Sequence, residues 1–178
     1  MAISIRRAVT ADAGQLHRMI TELARYEREE SSVKVTAEDL RRQLSDVNPP
    51  FDCAVAEIDG EAAGFALYFY SYSTWEGTRT LYLEDLYVCP AFRGAGVGAE
   101  LMLFLAQTAQ QEECRRFEWS VLDWNQPAIG FYQNLGARPL SGWTRYRMDA
   151  TAIEQLLAGA MEGRAAKVAT RVSAAISA

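Results

Sequence analysis

The sequence predicts a mixed α/β protein with one mixed, mostly antiparallel central sheet of about six to seven strands, flanked by helices on both faces. Segments in which apolar residues alternate one by one are interspersed with segments in which they recur every three or four positions, the periods of strands and helices. Three strand-like segments also come in succession in the first half of the chain, joined by short connections. Such a sheet buries its apolar faces only when helices cover them.

The first elements are a strand and two helices. Ile3 to Val9 alternates in hydropathy and predicts the first strand. Ala11 to about Glu29 carries apolar side chains at helical spacing, which predicts a helix with one apolar face. At the charged end of this helix, Arg28 and Glu30 are interpreted as solvated. Thr36-Ala37-Glu38-Asp39 is typical of a helix cap and predicts a short second helix, which the following proline pair ends.

The middle of the chain predicts three strands. Phe51 to Ile58 and Ala62 to Tyr72 are apolar runs joined by Asp59-Gly60, a strong hairpin signal. A loop from Ser73 to Arg79 leads to the third strand, Leu81 to Val88. A glycine-rich stretch follows this strand and opens the next helix.

The last third predicts alternating helices and strands. They are a helix from Val97 to about Gln111, a strand from Phe117 to Leu122, a helix from Asn125 to Leu135, a strand from Trp143 to Met148 and a helix from Thr151 to Leu157. Gly136 ends the second of these helices. Beyond Gly159 the chain is rich in alanine. We therefore predict one domain over residues 1–158 and an Ala-rich tail over residues 159–178.

Composition argues against several classes of protein. The chain has 178 residues, 49% of them apolar, which is enough for a folded domain with a substantial core. The net charge of −5 and the lack of a basic stripe argue against a nucleic-acid partner. One histidine, His17, and three cysteines without close pairing argue against a metal site and a Cys-His catalytic pair. No stretch resembles a signal peptide or a membrane span, so we expect a cytoplasmic protein with no membrane partner.

The stretch Arg93-Gly94-Ala95-Gly96-Val97-Gly98 lies between a predicted strand and a predicted helix. Glycine permits the positive φ of a tight loop, so several N–H groups can point into one concavity at a helix N-terminus. Arg93 adds a fork of donors suited to phosphate oxygens. The stretch lacks the ending of a P-loop and the spacing of a dinucleotide fingerprint. From the glycines alone, a pyrophosphate site and a plain surface turn are equally good interpretations.

Several stretches together resemble the GNAT superfamily of acyl-CoA N-acyltransferases, over about residues 3–149. Within it they resemble the diamine (spermidine/spermine) N-acetyltransferase family, and its thialysine N-acetyltransferase-like branch. The stretches are Leu23-Ala24-Arg25-Tyr26-Glu27, Leu81-Tyr82-Leu83-Glu84-Asp85-Leu86-Tyr87-Val88, Phe92 to Gly98, Val121-Leu122-Asp123-Trp124-Asn125-Gln126, Phe131-Tyr132 and Leu135-Gly136-Ala137. The resemblance implies the GNAT fold and acetyl transfer from acetyl-CoA, without a metal, to a primary amine of a small molecule by direct attack in a ternary complex.

The chemistry of this reaction needs a base and an acid. An amine with a lysine-like pKa of about 10.4 must lose a proton before it attacks a thioester. The resemblance assigns Glu84 this base-like or amine-orienting role, against the alternative of a carboxylate at a strand edge. Strand alternation places Asp85 on the opposite face, in a structural role. The resemblance assigns Tyr132 as proton donor to the leaving thiolate, against the alternative of a core aromatic, and a backbone N–H near Leu86 as donor to the acetyl oxygen.

The resemblance also implies where the ligands bind, with the acetyl-CoA between the strands Leu81–Val88 and Phe117–Leu122. The implied cofactor-binding residues are Leu86, Val88, Arg93, Gly94, Ala95, Gly96, Val97, Gly98, Asn125, Ala128 and Tyr132. The implied substrate-binding residues are Tyr26, Glu27, Glu84, Glu118, Trp119, Ser120 and Trp75. Leu86 and Val88 are expected to pair with the pantetheine arm through their backbone, as an edge strand pairs with an added strand.

Two positions depart from the family and bear on the substrate. Ser73-Thr74-Trp75 stands where the diamine enzymes usually carry Asp-Pro-Trp, and Ser141 stands where they carry an acidic residue. Fewer carboxylates weaken the attraction for a long polycation, which favours thialysine, lysine or ornithine over spermidine. Trp75 belongs to a loop that reaches a partner subunit in the family, which implies a homodimer. The alternatives are a protein or peptide N-acetyltransferase and a non-catalytic acyl-CoA-binding sensor.

Overall fold

The structure is a computed structural model that describes residues 2–160. The chain divides into two compact units, of which the first ends at Asn125 and the second begins at Gln126. The predicted boundary at residue 158 stays a prediction, and from residue 161 onward the predicted Ala-rich tail lies outside the described residues. None of the helices described is long and apolar enough to cross a membrane.

One mixed sheet forms the framework of the first unit. Its strands are β1 (Ile3–Arg7), β2 (Asp52–Ile58), β3 (Glu61–Ser73), β4 (Thr78–Val88) and β5 (Arg116–Trp119), and they lie side by side in that order. Neighbours from β1 to β4 are antiparallel, whereas β5 runs parallel to β4. The mixed, mostly antiparallel sheet is therefore confirmed. Over residues 2–160 it has five strands rather than the predicted six to seven.

The predicted strand from Trp143 to Met148 is wrong. Residues 141–149 contain neither helix nor strand, and the side chain of Tyr146 is 93% exposed. Alternating side chains indicate an extended backbone, but a strand also needs a second backbone to pair with. The strand predicted from Phe117 to Leu122 is shorter than expected for the same reason, because its pairing with β4 ends at Trp119.

Three helices belong to the first unit: α1 (Ala13–Tyr26), α2 (Ala37–Leu44) and α3 (Val97–Gln111). The first two bury Leu16, Met19 and Leu40 in a cluster with Val55 and Phe65 of the sheet. These are the apolar positions that helical spacing predicts to face a core. The cluster covers one face of the sheet beneath the first half of α1.

The helix α3 also packs on the sheet. Its buried residues Val97, Leu101 and Leu105 recur at helical spacing, and the helix contacts all five strands. Ala54 and Val55 are successive residues of β2 that face opposite sides, and both are fully buried. Both faces of the sheet are therefore covered, and the predicted arrangement of helices on both faces is confirmed.

Three helices end in the same backbone motif, in which the residue after the C-cap is left-handed and two N–H groups donate back into the last turn. This residue is Arg28 after α1, with φ of 66°, and Glu113 after α3, with φ of 54°. After α4 (Gln126–Asn134), in the second unit, it is Gly136 with φ of 90°. Glycine is the usual residue at this position because it has no Cβ. The predicted role of Gly136 is confirmed.

The second unit contains α4 and a helix over residues 150–160, α5. The carboxylate of Asp149 accepts a hydrogen bond of 2.8 Å from the N–H of Ala152, and its carbonyl accepts one of 3.0 Å from Ile153. Asp149 therefore caps α5. The helix predicted from Thr151 to Leu157 is confirmed, with slightly wider bounds.

Candidate active site

The strand β4 contains a β-bulge at Glu84. Leu83 pairs with Tyr68 of β3, whereas Asp85 pairs with Leu67, so Glu84 is an extra residue in β4. On the other side of β4, the parallel pairing with β5 ends at Leu83. A bulge bends its strand and increases the local twist. Beyond Leu83, β4 therefore stays paired with β3 but parts from β5, at the place where the resemblance implies a cleft.

The bulge changes which side chains share a face. Leu67 and Tyr68 are successive residues of β3, so they face opposite sides of the sheet. Their partners on β4, Asp85 and Leu83, therefore also face opposite sides, although they are two positions apart. Simple alternation does not hold through a bulge. Alternation therefore does not decide whether Glu84 and Asp85 face opposite sides, and their separate roles stay predictions.

The carboxylate of Asp85 lies within the electrostatic influence of two other carboxylates of the first unit. Burial, together with the negative charges of Glu84 and Glu27, raises the pKa of Asp85 to about 6. Burial, and to a lesser extent the charge of Glu29, also raises the pKa of Glu27. Glu84 is exposed, whereas Asp85 is half-buried. Within residues 2–160, no group of three such side chains is arranged to hold a metal ion. The cluster instead suits a cation that must give up a proton.

The glycine loop ends where α3 begins. Gly94 and Gly96 are left-handed, with φ of 80° and 92°, and Gly96 is the N-cap of α3. The N–H of Glu100 makes the first bond of the helix, to the carbonyl of Gly96 at 3.1 Å. The N–H groups of Val97 and Gly98 therefore have no partner inside the helix. Such donors, at the positive end of a fifteen-residue helix, suit an anionic ligand.

Arg93 is held between the loop and the aromatic side chains beside it. Its Nε donates to the carbonyl of Val88 at 3.1 Å. Its guanidinium lies 5.7 Å from the ring centre of Tyr26 and 5.9 Å from that of Tyr87. The carbonyl of Val88, for which a bond to the pantetheine arm is predicted, therefore already accepts one hydrogen bond. A carbonyl oxygen has two lone pairs, so a second bond to this group is still possible.

Tyr26 joins the end of α1 to the segment that follows β5. Its hydroxyl donates to Oδ1 of Asn125 at 3.1 Å, and its ring centre is 5.7 Å from that of Trp124. The guanidinium of Arg28 lies 5.3 Å from the Trp124 ring centre. A predicted substrate-binding residue, Tyr26, and a predicted cofactor-binding residue, Asn125, are therefore in direct contact.

The predicted substrate-binding residues at β5 contact other residues of the first unit. The carboxylate of Glu118 is 3.9 Å from Arg116, and the ring centre of Trp119 is 4.9 Å from that of Phe117. The hydroxyl of Ser120 shares a hydrogen bond of 2.9 Å with that of Tyr82. Of these contacts, the hydrogen bond between Ser120 and Tyr82 joins the end of β5 to β4 at the point where their pairing ends.

The remaining predicted site residues lie elsewhere. Leu86 pairs with Ala66 of β3, beyond the bulge. Trp75 lies in the turn between β3 and β4 and is 79% exposed. Ala128 and Tyr132 lie on α4 in the second unit. The roles of all these residues stay predictions.

Sequence reasoning missed the bulge, and it also missed the contact between Arg28 and Trp124. The bulge has a signal in the sequence: Leu81 and Leu83 follow one phase of apolar alternation and Leu86 and Val88 the other, so the phase shifts at Glu84. No comparable signal exists for Arg28, because only glycine marks a left-handed helix end in a sequence.

Known proteins resemble this chain in sequence and in structure. Residues 15–137 match the model of the acetyltransferase (GNAT) family. The chain is 42% identical over 166 residues to the thialysine N-epsilon-acetyltransferase of Sus scrofa, covering 87% of this chain and 97% of that protein. It is 43% identical over 151 residues to the protein of the same name from Caenorhabditis elegans, covering 83% and 92%. The solved structure of an integron cassette protein from V. cholerae superposes with a TM-score of 0.73 at 26% identity, covering 88% and 98%.

Proposed function

Because this chain belongs to the GNAT family of acetyltransferases and is itself an acetyltransferase, we propose that it moves the acetyl group of acetyl-CoA to the side-chain amine of a small amino acid. Thialysine, lysine and ornithine are the proposed substrates. The observation that carries the proposal is the parting of β4 and β5 at the Glu84 bulge. It supports direct attack by an amine held at the bulge, in a ternary complex.

The residues of the first unit fit acetyl-CoA, which supplies an activated thioester as the acyl donor. The N–H groups of Val97 and Gly98 and the guanidinium of Arg93 suit its pyrophosphate. The backbone of Leu86 and Val88, beyond the end of the β5 pairing, suits the amides of its pantetheine arm. Asn125 adds a side-chain amide near the end of this cleft.

The carboxylates at the bulge handle the proton of the amine. A small amine arrives as a cation, and three negative charges (Glu27, Glu84 and Asp85) attract it. Glu84 is exposed, so it receives the proton from the amine, directly or through water. The negative charge of Glu84 contributes to the raised pKa of Asp85, so the two carboxylates interact. The two carboxylates together hold the released proton more readily than a lone glutamate does.

The role of Tyr132 rests on the resemblance. A tyrosine hydroxyl is protonated at neutral pH and donates a proton to a leaving thiolate. Tyr132→Phe removes this proton and keeps the ring. We expect a lower kcat with an unchanged affinity for acetyl-CoA. An unchanged kcat would remove Tyr132 from the mechanism.

The proposal is tested by the release of CoA from acetyl-CoA, followed with a thiol reagent. The acceptors are thialysine, lysine, ornithine, putrescine, spermidine and a basic peptide. Glu84→Gln should lower kcat by about 100-fold or more and leave acetyl-CoA binding unchanged, because it removes the proton acceptor alone. Glu61→Gln, an exposed glutamate at the start of β3, is the matched control and should be active. Turnover of the peptide alone would contradict the proposal, and binding of acetyl-CoA without turnover of any acceptor would favour a sensor.

We also infer a homodimer in which the β3–β4 turn contacts the partner. Trp75 in this turn is 79% exposed, and large exposed aromatic side chains are typical of interfaces. The inference rests on the resemblance. Light scattering should give twice the chain mass for the wild type, and Trp75→Ser should weaken the dimer. A monomeric wild type would contradict it.

A further inference from the structure

Arg28 stands at a backbone position that favours glycine. It is the left-handed residue after α1, with φ of 66°, and the equivalent residue after α4 is Gly136. A side chain with a Cβ is strained in this conformation. Glu113, the equivalent residue after α3, is strained in the same way. The strain alone therefore does not single out Arg28, and its surroundings must be considered.

The guanidinium of Arg28 is positioned by an aromatic ring, and its N–H groups remain available as hydrogen-bond donors. It lies 5.3 Å from the ring centre of Trp124. Such a contact uses the ring face and leaves the N–H groups in the guanidinium plane available. In the part of the chain that the structure describes, Arg28 forms no salt bridge, whereas the nearby Arg25 is paired with Glu30 at 2.6 Å. A fixed guanidinium with available donors is suited to a carboxylate.

Arg28 also lies beside the groups proposed to bind the amine. It follows Glu27, whose negative charge acts on Asp85. The ring that it contacts, Trp124, is in turn 5.7 Å from the ring of Tyr26. Glu27 and Arg28 therefore offer a negative and a positive charge in succession at the margin of the site. The head group of an amino acid carries the complementary pair, an ammonium and a carboxylate on one carbon.

We propose that Arg28 binds the α-carboxylate of an amino-acid substrate while Glu27 faces its α-ammonium. Arg28 is then the residue that selects amino acids over diamines, which have no carboxylate and are repelled by its charge. This assignment rests on the proposed function, of which it specifies the substrate class. It also gives a reason for an arginine at a position where glycine relieves strain.

The test compares pairs of acceptors that differ only in the carboxylate: lysine with cadaverine, and ornithine with putrescine. The wild type should prefer the amino acid of each pair. Arg28→Gly should lower the ratio of kcat/KM for lysine to that for cadaverine by about 10- to 100-fold, through a higher KM for lysine, because a charged hydrogen-bond partner is lost. Arg28→Lys keeps the charge without the fork of donors. Its ratio of kcat/KM for lysine to that for cadaverine should therefore lie between the ratios of the wild type and of Arg28→Gly.

The stability of the Arg28→Gly variant shows whether a change in its substrate preference comes from lost binding or from lost folding. Glycine relieves the left-handed strain but loses the contact with the Trp124 ring, so the Tm of Arg28→Gly should stay within about 4 °C of the wild type. Glu113→Gly relieves the same strain at the end of α3 and is the matched control, which should keep the substrate ratio of the wild type. A loss of amino-acid preference in Arg28→Gly but not in Glu113→Gly is the expected result.

Two results would overturn the assignment, and they are distinguishable. Equal use of lysine and cadaverine by the wild type, or a ratio that Arg28→Gly leaves within about threefold, would overturn the role of Arg28 and leave amine acetylation standing. Failure of the wild type to acetylate any amine of the four would overturn the proposed function and the assignment with it.

Discussion

The hydroxyl of Tyr26 donates a hydrogen bond of 3.1 Å to Oδ1 of Asn125, 99 positions further along the chain. This bond fixes the C-terminal end of α1 to the segment that follows β5. The same ring lies 5.7 Å from the guanidinium of Arg93. One aromatic side chain therefore contacts two residues proposed to bind acetyl-CoA. Both contacts are made at the end of α1, immediately before the proposed amine-binding residue Glu27.

Tyr26→Phe should raise the KM for acetyl-CoA about three- to tenfold. The variant keeps the ring contacts and removes one hydrogen bond, which contributes about 1 kcal/mol. Steady-state kinetics at saturating amine measure the effect. Asn125→Ala and the double variant complete a cycle in which the double variant should be little worse than Asn125→Ala. If the two substitutions changed the KM for acetyl-CoA by fully additive amounts, the hydrogen bond between Tyr26 and Asn125 would not be what orders this part of the site.

Gly96→Ala should weaken acetyl-CoA binding by about tenfold or more. Gly96 is left-handed, with φ of 92°, and an alanine there is strained by about 1 kcal/mol or moves the loop N–H groups. Calorimetric titration with CoA measures the affinity. Gly14→Ala, in α1, is the control, because its added Cβ meets nothing within 4 Å and its φ is not positive. Equal affinities of the two variants would contradict a role for the loop backbone.

Asp85→Asn should stabilise the protein at pH 8 and not at pH 4. The pKa of Asp85 is raised from 3.8 to about 6 in the folded protein. The folded state therefore binds this proton more tightly than the unfolded state does. The resulting stabilisation is complete below pH 3.8 and is lost as the pH rises through about 6. Asparagine does not ionise, so the variant should gain about 1–3 kcal/mol at pH 8. Urea denaturation at the two pH values measures this, and a gain independent of pH would contradict the electrostatic cause.

Gly64→Ala should destabilise the protein by about 2–3 kcal/mol, in the range for overpacked interiors. A Cβ on Gly64 would lie 2.4 Å from the carbonyl oxygen of Tyr87. The strands β3 and β4 must then move apart at the Gly64–Val88 pair, four residues beyond the bulge along β4. Thermal unfolding measures the stability, and the KM for acetyl-CoA reports the displaced strand. A Tm within about 2 °C of the wild type would contradict the close approach of the two strands.

Most of the fold was predictable because its elements carry local signals. The apolar spacing of Leu16 and Met19 gave the first helix, which the structure confirms. Asp59-Gly60 gave the first hairpin, and both residues have the positive φ, 51° and 82°, of its turn. Periodicity and turn chemistry act over a few residues, so a single sequence contains them.

What was not predictable depends on pairing between distant segments. The segment around Tyr146 was expected to be a strand, but strand formation requires a partner that no local pattern specifies. The bulge at Glu84 likewise exists only relative to β3, since a residue is extra only when its neighbours are paired. The site at Glu84 was reached through the resemblance, whereas the approach of Arg28 to Trp124 has no sequence signal at all.

Because the pairing with β5 ends at Leu83, the rest of β4 has an open edge on that side. Exposed edges are templates on which other chains add strands, and proteins protect them with charged side chains. Here Glu84 and Asp85 lie at the start of the open stretch, so their negative charges oppose the docking of a foreign strand when acetyl-CoA is absent. The carboxylates proposed to take the substrate proton therefore also place charge on an open strand edge, and variants that remove both charges should aggregate faster without acetyl-CoA than with it.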